Sequence, residues 1–145
     1  MQPKLITGGI KYDNRGFLIF SNEFKFSSIQ RFYIVSNFQN KFVRAWHGHK
    51  KESKFIMCIQ GSFQISCVKI KNFKKPDKKS KIFTWVLNET KPEILYIPKG
   101  YANGSMSLSD NAKLLIFSTS SLELSLKDDY RFDSRFWDPW VINER

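Results

Sequence analysis

Apolar residues in this chain alternate with polar ones more often than they recur at helical spacing. Phe63, Ile65 and Cys67 alternate with Gln64, Ser66 and Val68, the pattern of a strand with one buried face. Short runs rich in aromatic and β-branched residues occupy positions 17–20, 29–35, 54–59, 63–70, 81–87, 94–97 and 113–117. Turn-forming clusters separate them: Asp13-Asn14-Arg15-Gly16, Gln60-Gly61-Ser62, Pro76-Asp77, Asn88 to Pro92, Pro98-Lys99-Gly100 and Ser109-Asp110-Asn111. No convincing stretch carries a helical period. A strand roughly every ten residues predicts an all-β sandwich or jelly roll. No repeat, linker or break in composition divides the chain, so residues 1–145 read as one domain.

Composition adds limits to this picture. Aromatic residues make up 16% of the chain and include 14 Phe, many of which belong inside or at an interface. No apolar run reaches the ~20 residues of a membrane helix, and the start lacks a signal-peptide pattern, so a cytoplasmic protein is expected. A two-residue hairpin at Gln60-Gly61 would set Cys67 opposite Lys54. Cys58 and Cys67 would then lie ~13 Å apart along the strands, too far for a disulfide. Two free thiols suit a reducing compartment. The net charge of +11 is concentrated between Lys69 and Lys81, which holds seven Lys and one Asp. That stretch reads as a solvated hairpin loop. A nucleic-acid surface needs aromatics among the bases, and only Phe73 lies within it, so no nucleic-acid partner is expected.

Arg44-Ala45-Trp46-His47-Gly48-His49-Lys50 holds both histidines of the chain. On a strand, residues two apart share a face. Imidazole titrates near neutral pH, so this segment is where proton chemistry based on histidine must lie. His-x-His followed by a carboxylate, here Glu52, is also a metal-ligand pattern. The usual third histidine would sit where Pro98-Lys99-Gly100-Tyr101-Ala102-Asn103 places Asn103, a poor transition-metal ligand, and no spare His exists. No metal or other cofactor is expected. As a base, a histidine needs a carboxylate to fix its tautomer, and Asp128, Asp129, Asp133 and Asp138 are the candidates. Removing a proton next to a carbonyl also needs a cation at the carbonyl oxygen, which Lys54 or Arg44 could supply.

Several segments, in chain order from residue 13 to about 140, resemble the dTDP-4-dehydrorhamnose 3,5-epimerase family. Asp13-Asn14-Arg15-Gly16-Phe17 resembles that family's Asp-x-Arg-Gly-x-Phe, and Arg44-Ala45-Trp46-His47 its Arg-Gly-Leu-His. Lys54-Phe55-Ile56, seven residues before Gly61, resembles its Lys-Leu-Val leading to a hairpin Gly. Ile97-Pro98-Lys99-Gly100-Tyr101-Ala102-Asn103-Gly104 resembles its Ile-Pro-x-Gly-Phe-Ala-His-Gly. Arg131-Phe132-Asp133, with Trp140 beyond, resembles its C-terminal motif. The resemblance implies a cupin jelly roll (double-stranded β-helix) and a homodimer exchanging its first strands. It implies an isomerase that acts on a nucleotide-linked, most simply dTDP-linked, 4-keto-6-deoxyhexose. His47 would be the base, with Asp133 or Asp138 as its partner, and Lys54 would steady the enolate. Arg15 and Arg44 would contact the nucleotide diphosphate and sugar, and Asn103, Tyr33 and Tyr101 would also line the substrate site.

Two departures shape the expectation. Asn103 replaces the family's second-motif His, and the strand expected to carry its catalytic Tyr shows Phe117 instead. Either another group, such as Tyr33 or Tyr101, returns the proton to the opposite sugar face, or double epimerisation does not occur. His47-Gly48-His49-Lys50 also resembles the His-Ala-His-Lys of the dTDP-sugar 3,4-ketoisomerases, where two histidines, here His47 and His49, relay a proton between adjacent carbons and no opposite-face acid is needed. Epimerisation at C3, C5 or both is the leading expectation. Keto migration follows, and then a non-catalytic sugar-nucleotide-binding cupin.

Overall fold

Strand alternation puts one face of each strand inward, and the turns decide which of two sheets each strand joins. A computed structural model describes residues 1–145. In chain order the strands are β1 (Lys4–Thr7), β2 (Gly9–Asp13), β3 (Gly16–Phe20), β4 (Arg31–Asn37), β5 (Val43–His49) and β6 (Lys54–Gln60). There follow β7 (Ser62–Lys69), β8 (Ile82–Asn88), β9 (Glu93–Ile97), β10 (Tyr101–Ser107) and β11 (Ala112–Ser118). A short helix α1 (Leu122–Leu126) and a two-residue strand β12 (Tyr130–Arg131) complete the set. The first sheet runs β1-β9-β6-β11-β4 and the second β12-β5-β10-β7-β8, all pairs antiparallel. The hairpin β2-β3 pairs only with itself. No helix is long and apolar enough to cross a membrane.

The turn at Gln60-Gly61 is not a hairpin. It carries the chain from β6 in the first sheet to β7 in the second, so the expected pairing of Cys67 with Lys54 does not form; Cys67 pairs with Phe83 and Asn103. Gly61 takes the positive φ of 72° that this abrupt crossing needs. Both thiols are nevertheless free and buried. They lie in the core between the sheets with Ile56, Phe63, Ile65, Leu95 and Leu114. The Lys-rich stretch is a hairpin loop between β7 and β8, as expected. It is tied down at Asp77, whose carbonyl accepts from Trp137 Nε1 at 3.0 Å.

A second apolar cluster covers the outer face of the second sheet. Trp46, Val68, Ala102 and Met106 face outward there, and the C-terminal segment folds back to lay Trp137 and Trp140 over them. Trp46 is 0% exposed. Its ring lies 5.4 Å from Trp137 and 5.2 Å from Trp140, and its Nε1 donates to the carbonyls of Ser134 and Trp137 at 3.2 and 3.1 Å. β10 slots between β5 and β7, although its sequence, Tyr-Ala-Asn-Gly-Ser-Met-Ser, has little intrinsic strand preference. Gly104 is required here. A Cβ on it would come within 2.6 Å of Ala45 Cβ and 2.9 Å of Trp140.

Trp46 thus anchors the C-terminal segment to the sheet that carries the histidines. Trp46→Ala should cost about 3–5 kcal/mol of stability, measured by urea denaturation. A loss below about 1 kcal/mol would show that the segment docks without it.

Candidate active site

The register of β5 against β10 decides which side chains face inward. Asn103 pairs with His47, but Ser105 pairs with Arg44, so the ladder slips by one residue at a bulge. Ala45 and Trp46 both face the outer cluster, while Arg44, His47 and His49 all face a cavity between the sheets. The cavity has a volume of about 290 Å³. The first sheet contributes Arg31, Tyr33, Lys54, Leu114 and Ile116, and α1 adds Leu122, Ser125 and Leu126. Asn103 and Ser105 come from β10, and Asp129 and Arg131 from the C-terminal segment. Four cationic side chains therefore surround one apolar-floored pocket.

Of the residues anticipated from sequence, the structure brings His47, His49, Lys54, Arg44, Asn103 and Tyr33 into this cavity. Arg44 Nε donates to Asn37 Oδ1 at 2.7 Å, and Asn103 Nδ2 to the His47 carbonyl at 3.3 Å. Asp133, Asp138 and Tyr101 are not brought into the cavity. Asp133 is exposed and accepts from the Arg135 backbone N–H at 2.8 Å, outside the cavity. Asp138 likewise turns to Arg135 at the surface. Tyr101 is buried in the core between the sheets and does not line the cavity. Arg15 stands at the tip of the β2-β3 hairpin, paired only with Asp13 at 2.6 Å. Phe117 is not in the cavity either. The inward positions of β11 are Leu114 and Ile116, and by strand alternation Phe117 points outward, packing on Phe24, Phe26 and Phe32.

The two histidines have different surroundings. His49 is 5% exposed. Its Nδ1 lies 2.6 Å from the Asp128 carbonyl and 3.1 Å from Glu52 Oε2. A carbonyl only accepts, so Nδ1 carries the proton. Nε2 is buried with no protein partner. Burial and the Lys54 charge push the His49 pKa below its usual value, while Glu52 and Asp128 partly oppose them. Burial, then Lys54 and Arg131, push His47 down to about 4, and Asp129 acts in the opposite sense. The carboxylate whose field reaches His47 is thus Asp129, which also holds Arg131 Nε at 3.0 Å.

Glu52 and Asp128 link these parts. The Glu52 side chain is 0% exposed. It accepts from Ser118 Oγ, from Ser125 Oγ at 2.9 Å, and lies 3.5 Å from Arg31. The Asp128 carboxylate accepts the backbone N–H groups of Lys50, Lys51 and Glu52 at 2.8, 2.8 and 3.1 Å. By sequence, Glu52 qualifies only as a metal ligand and Asp128 only as a base partner. The structure holds no cluster of three or more His, Cys, Asp or Glu side chains placed for a metal ion.

A family model described as FdtA: WxcM-like, C-terminal matches residues 2–137. No curated protein sequence matches the chain. Among solved structures, the chain is similar to dTDP-4-dehydrorhamnose 3,5-epimerase from Bacillus anthracis str. Ames with TDP and PPi bound, at 19% identity and a TM-score of 0.78, over 98% of this chain and 86% of that one. It is similar to a 3,4-ketoisomerase from Helicobacter canadensis at 24% identity and a TM-score of 0.71, over 94% and 95%. It is also similar to a His-to-Asn mutant of a 3,4-ketoisomerase from Thermoanaerobacterium thermosaccharolyticum in complex with TDP-4-keto-6-deoxyglucose, at 20% identity and a TM-score of 0.71, over 93% and 91%. These likenesses establish the fold as the cupin jelly roll expected from sequence.

Both histidines are held neutral at pH 7. A folded-state His pKa below the unfolded value means that the unfolded chain binds more protons between them, so stability falls as pH drops through that window. For His47 the window runs from 6.5 down to about 4. Thermal midpoints of the wild-type protein should fall across this range, and more steeply than those of a His47→Gln, His49→Gln double variant. Equal slopes would show that the histidines titrate normally.

Proposed function

The chain belongs to the family whose model is described as FdtA: WxcM-like, C-terminal, and we propose that it is an enzyme isomerising a nucleotide-linked 4-keto-6-deoxyhexose by moving the keto group between C4 and C3. The observation that carries this reading is the pair His47 and His49, presented side by side on one strand to one cavity, with His49 Nε2 unpaired. A base on this wall removes the C3 proton, and the electron pair passes to O4 as an enolate. Lys54, buried at the cavity wall, stands where it can hold that charge. The O3 hydroxyl proton then passes to O4, and the same wall delivers a proton to C4 in place of the one taken from C3. The carbonyl ends at C3, and no atom is gained or lost. Arg31, Arg44 and Arg131 suit the diphosphate of the substrate. The ligands named for two of the similar structures, TDP with PPi in one and TDP-4-keto-6-deoxyglucose in the other, support this substrate class.

One observation favours a second reading. Tyr33 lines the cavity from the other sheet, so a phenol belongs to the wall that does not carry the histidines. Removal on one face and return on the other would epimerise C3 or C5. A dTDP-linked 4-keto-6-deoxyglucose incubated with the enzyme in D2O separates the readings by 13C NMR. Keto migration moves the carbonyl signal to C3 and places deuterium at C4. Epimerisation leaves the carbonyl at C4 and labels C3 or C5. No exchange at all would leave a sugar-nucleotide binder without catalysis. Under keto migration, His47→Asn and His49→Asn should each lose on the order of 10²–10⁴-fold in turnover. A much smaller loss at His49 would favour epimerisation. Activity should also survive exhaustive chelation; loss that added metal restores would refute a metal-independent mechanism.

We also propose that two copies assemble. β2-β3 pairs with nothing else in its own chain, and it exposes Tyr12, Phe17 and Leu18 at 70, 64 and 62%. The outer face of β4 exposes Phe32 and Ile34 at 65 and 53%. A second copy accepting the hairpin would cover this apolar surface and give Arg15 a neighbouring cavity to enter. Analytical ultracentrifugation should show a dimer, and deletion of residues 9–20 should yield monomers. A monomeric wild-type protein would rule this out.

A further inference from the structure

We propose that Glu52 is the positioning residue of His49: with the Asp128 carbonyl it holds the ring proton on Nδ1, so that Nε2 is the nitrogen that takes a proton from the substrate. The catalytic part of this statement rests on the isomerase reading above; the tautomer does not. Free imidazole in water favours neither arrangement strongly, so the protein's acceptors decide. Here the Asp128 carbonyl accepts from Nδ1 at 2.6 Å, and the Glu52 carboxylate sets its charge 3.1 Å from the same nitrogen. The opposite nitrogen is buried and bonded to nothing. A buried unpaired acceptor is costly, and native structures keep few of them outside working sites.

Glu52 is itself held in place. Ser118 and Ser125 donate to its two oxygens from β11 and α1, Arg31 of β4 lies beside it, and Asp128 fixes its backbone N–H. Such a carboxylate cannot swing away, so the imidazole plane is fixed as well. When Nε2 takes a proton, the Glu52 charge stabilises the imidazolium against the cations around it. Lys54 of β6 is the cation whose charge acts on the ring, and Arg31 of β4 and Arg131 of β12 line the same cavity. His47 lies beside it on β5, and Asp128 and Asp129 add negative charge from the C-terminal segment. The carboxylate that resemblance assigned to His47 comes from the far end of the chain. The one beside His49 comes from three residues away.

The test needs no substrate at first. With only two histidines in the chain, long-range 15N–1H NMR of the full-length protein, assigned with His47→Asn, reports the His49 tautomer directly. The expected form is Nδ1–H, and an Nε2–H form overturns the proposal. Glu52→Gln keeps the size and an acceptor but removes the charge. Its His49 titration midpoint should fall below that of wild type, and Glu52→Asp should recover part of the difference. In turnover, Glu52→Gln should shift the acid limb of kcat/KM to lower pH, and kcat should fall on the order of 10²-fold with a smaller change in KM. An unmoved midpoint in a folded Glu52→Gln protein overturns the assignment. If that variant does not fold, Glu52→Asp supplies the midpoint comparison, and a midpoint equal to wild type with the carboxylate drawn back overturns the assignment. An Nδ1–H tautomer and a shifted midpoint in a protein without isomerase activity would refute the proposed reaction and leave the positioning role intact.

Discussion

The geometry of the whole site depends on one carboxylate closing one loop. Asp128 takes three successive backbone N–H groups, from Lys50 to Glu52, and its own carbonyl takes the proton of His49. That loop joins β5 of the second sheet to β6 of the first. Charge-assisted bonds to backbone donors are the strong kind. They therefore fix where one sheet hands the chain to the other. The start of β6 places Lys54, the end of β5 places His49, and the loop between them points Glu52 inward. Without Asp128, three donors would need new partners, and His49, Glu52 and Lys54 would lose their mutual register.

The electrostatics follow from the same crowding. Arg31, Arg44, Lys54 and Arg131 give the cavity the charge that an anionic ligand requires. The same cations, together with burial, disfavour a protonated imidazole. The two effects work in one direction. A pocket suited to a diphosphate also keeps its histidines in the form that can accept a proton. Glu52 and Asp129 moderate this, one beside each ring, so that a proton, once taken, is not expelled without compensation.

Much of this was legible in the chain because it is local. Alternation revealed most strands, and two-residue spacing put His47 and His49 on one face. Arg44 reached the same face for a reason alternation does not give, the bulge opposite Gly104. β10 escaped notice because Ala, Asn, Gly and Ser are poor strand formers; its neighbours on both sides hold it extended. The crossing at Gly61 read as a hairpin because a tight turn looks the same whether the chain returns to its own sheet or leaves it. Phe117 was placed in the site by resemblance, but strand parity puts its neighbour Ile116 there instead. Asp128 and His49 lie 79 residues apart, a separation at which no pattern of spacing signals contact. Asp133, Tyr101 and Arg15 matched motifs, yet within this chain they serve a turn, the core and an outlying hairpin.

The helix over the cavity is fastened in an unusual way. α1 spans five residues and buries none of them. A helix so short has no stability of its own. Leu122, Leu124 and Leu126 remain 59, 60 and 70% exposed. What holds it is a Ser121 cap at one end and, in the middle, the Ser125 hydroxyl shared between Glu52 and Arg31. A turn that buries no side chain and hangs on so few bonds opens far more cheaply than a packed core. The roof of the pocket is therefore its hinge of least resistance, and amide exchange should begin there while both sheets stay closed. A ligand bulkier than 290 Å³ could enter by melting one turn of chain, with no strand required to move.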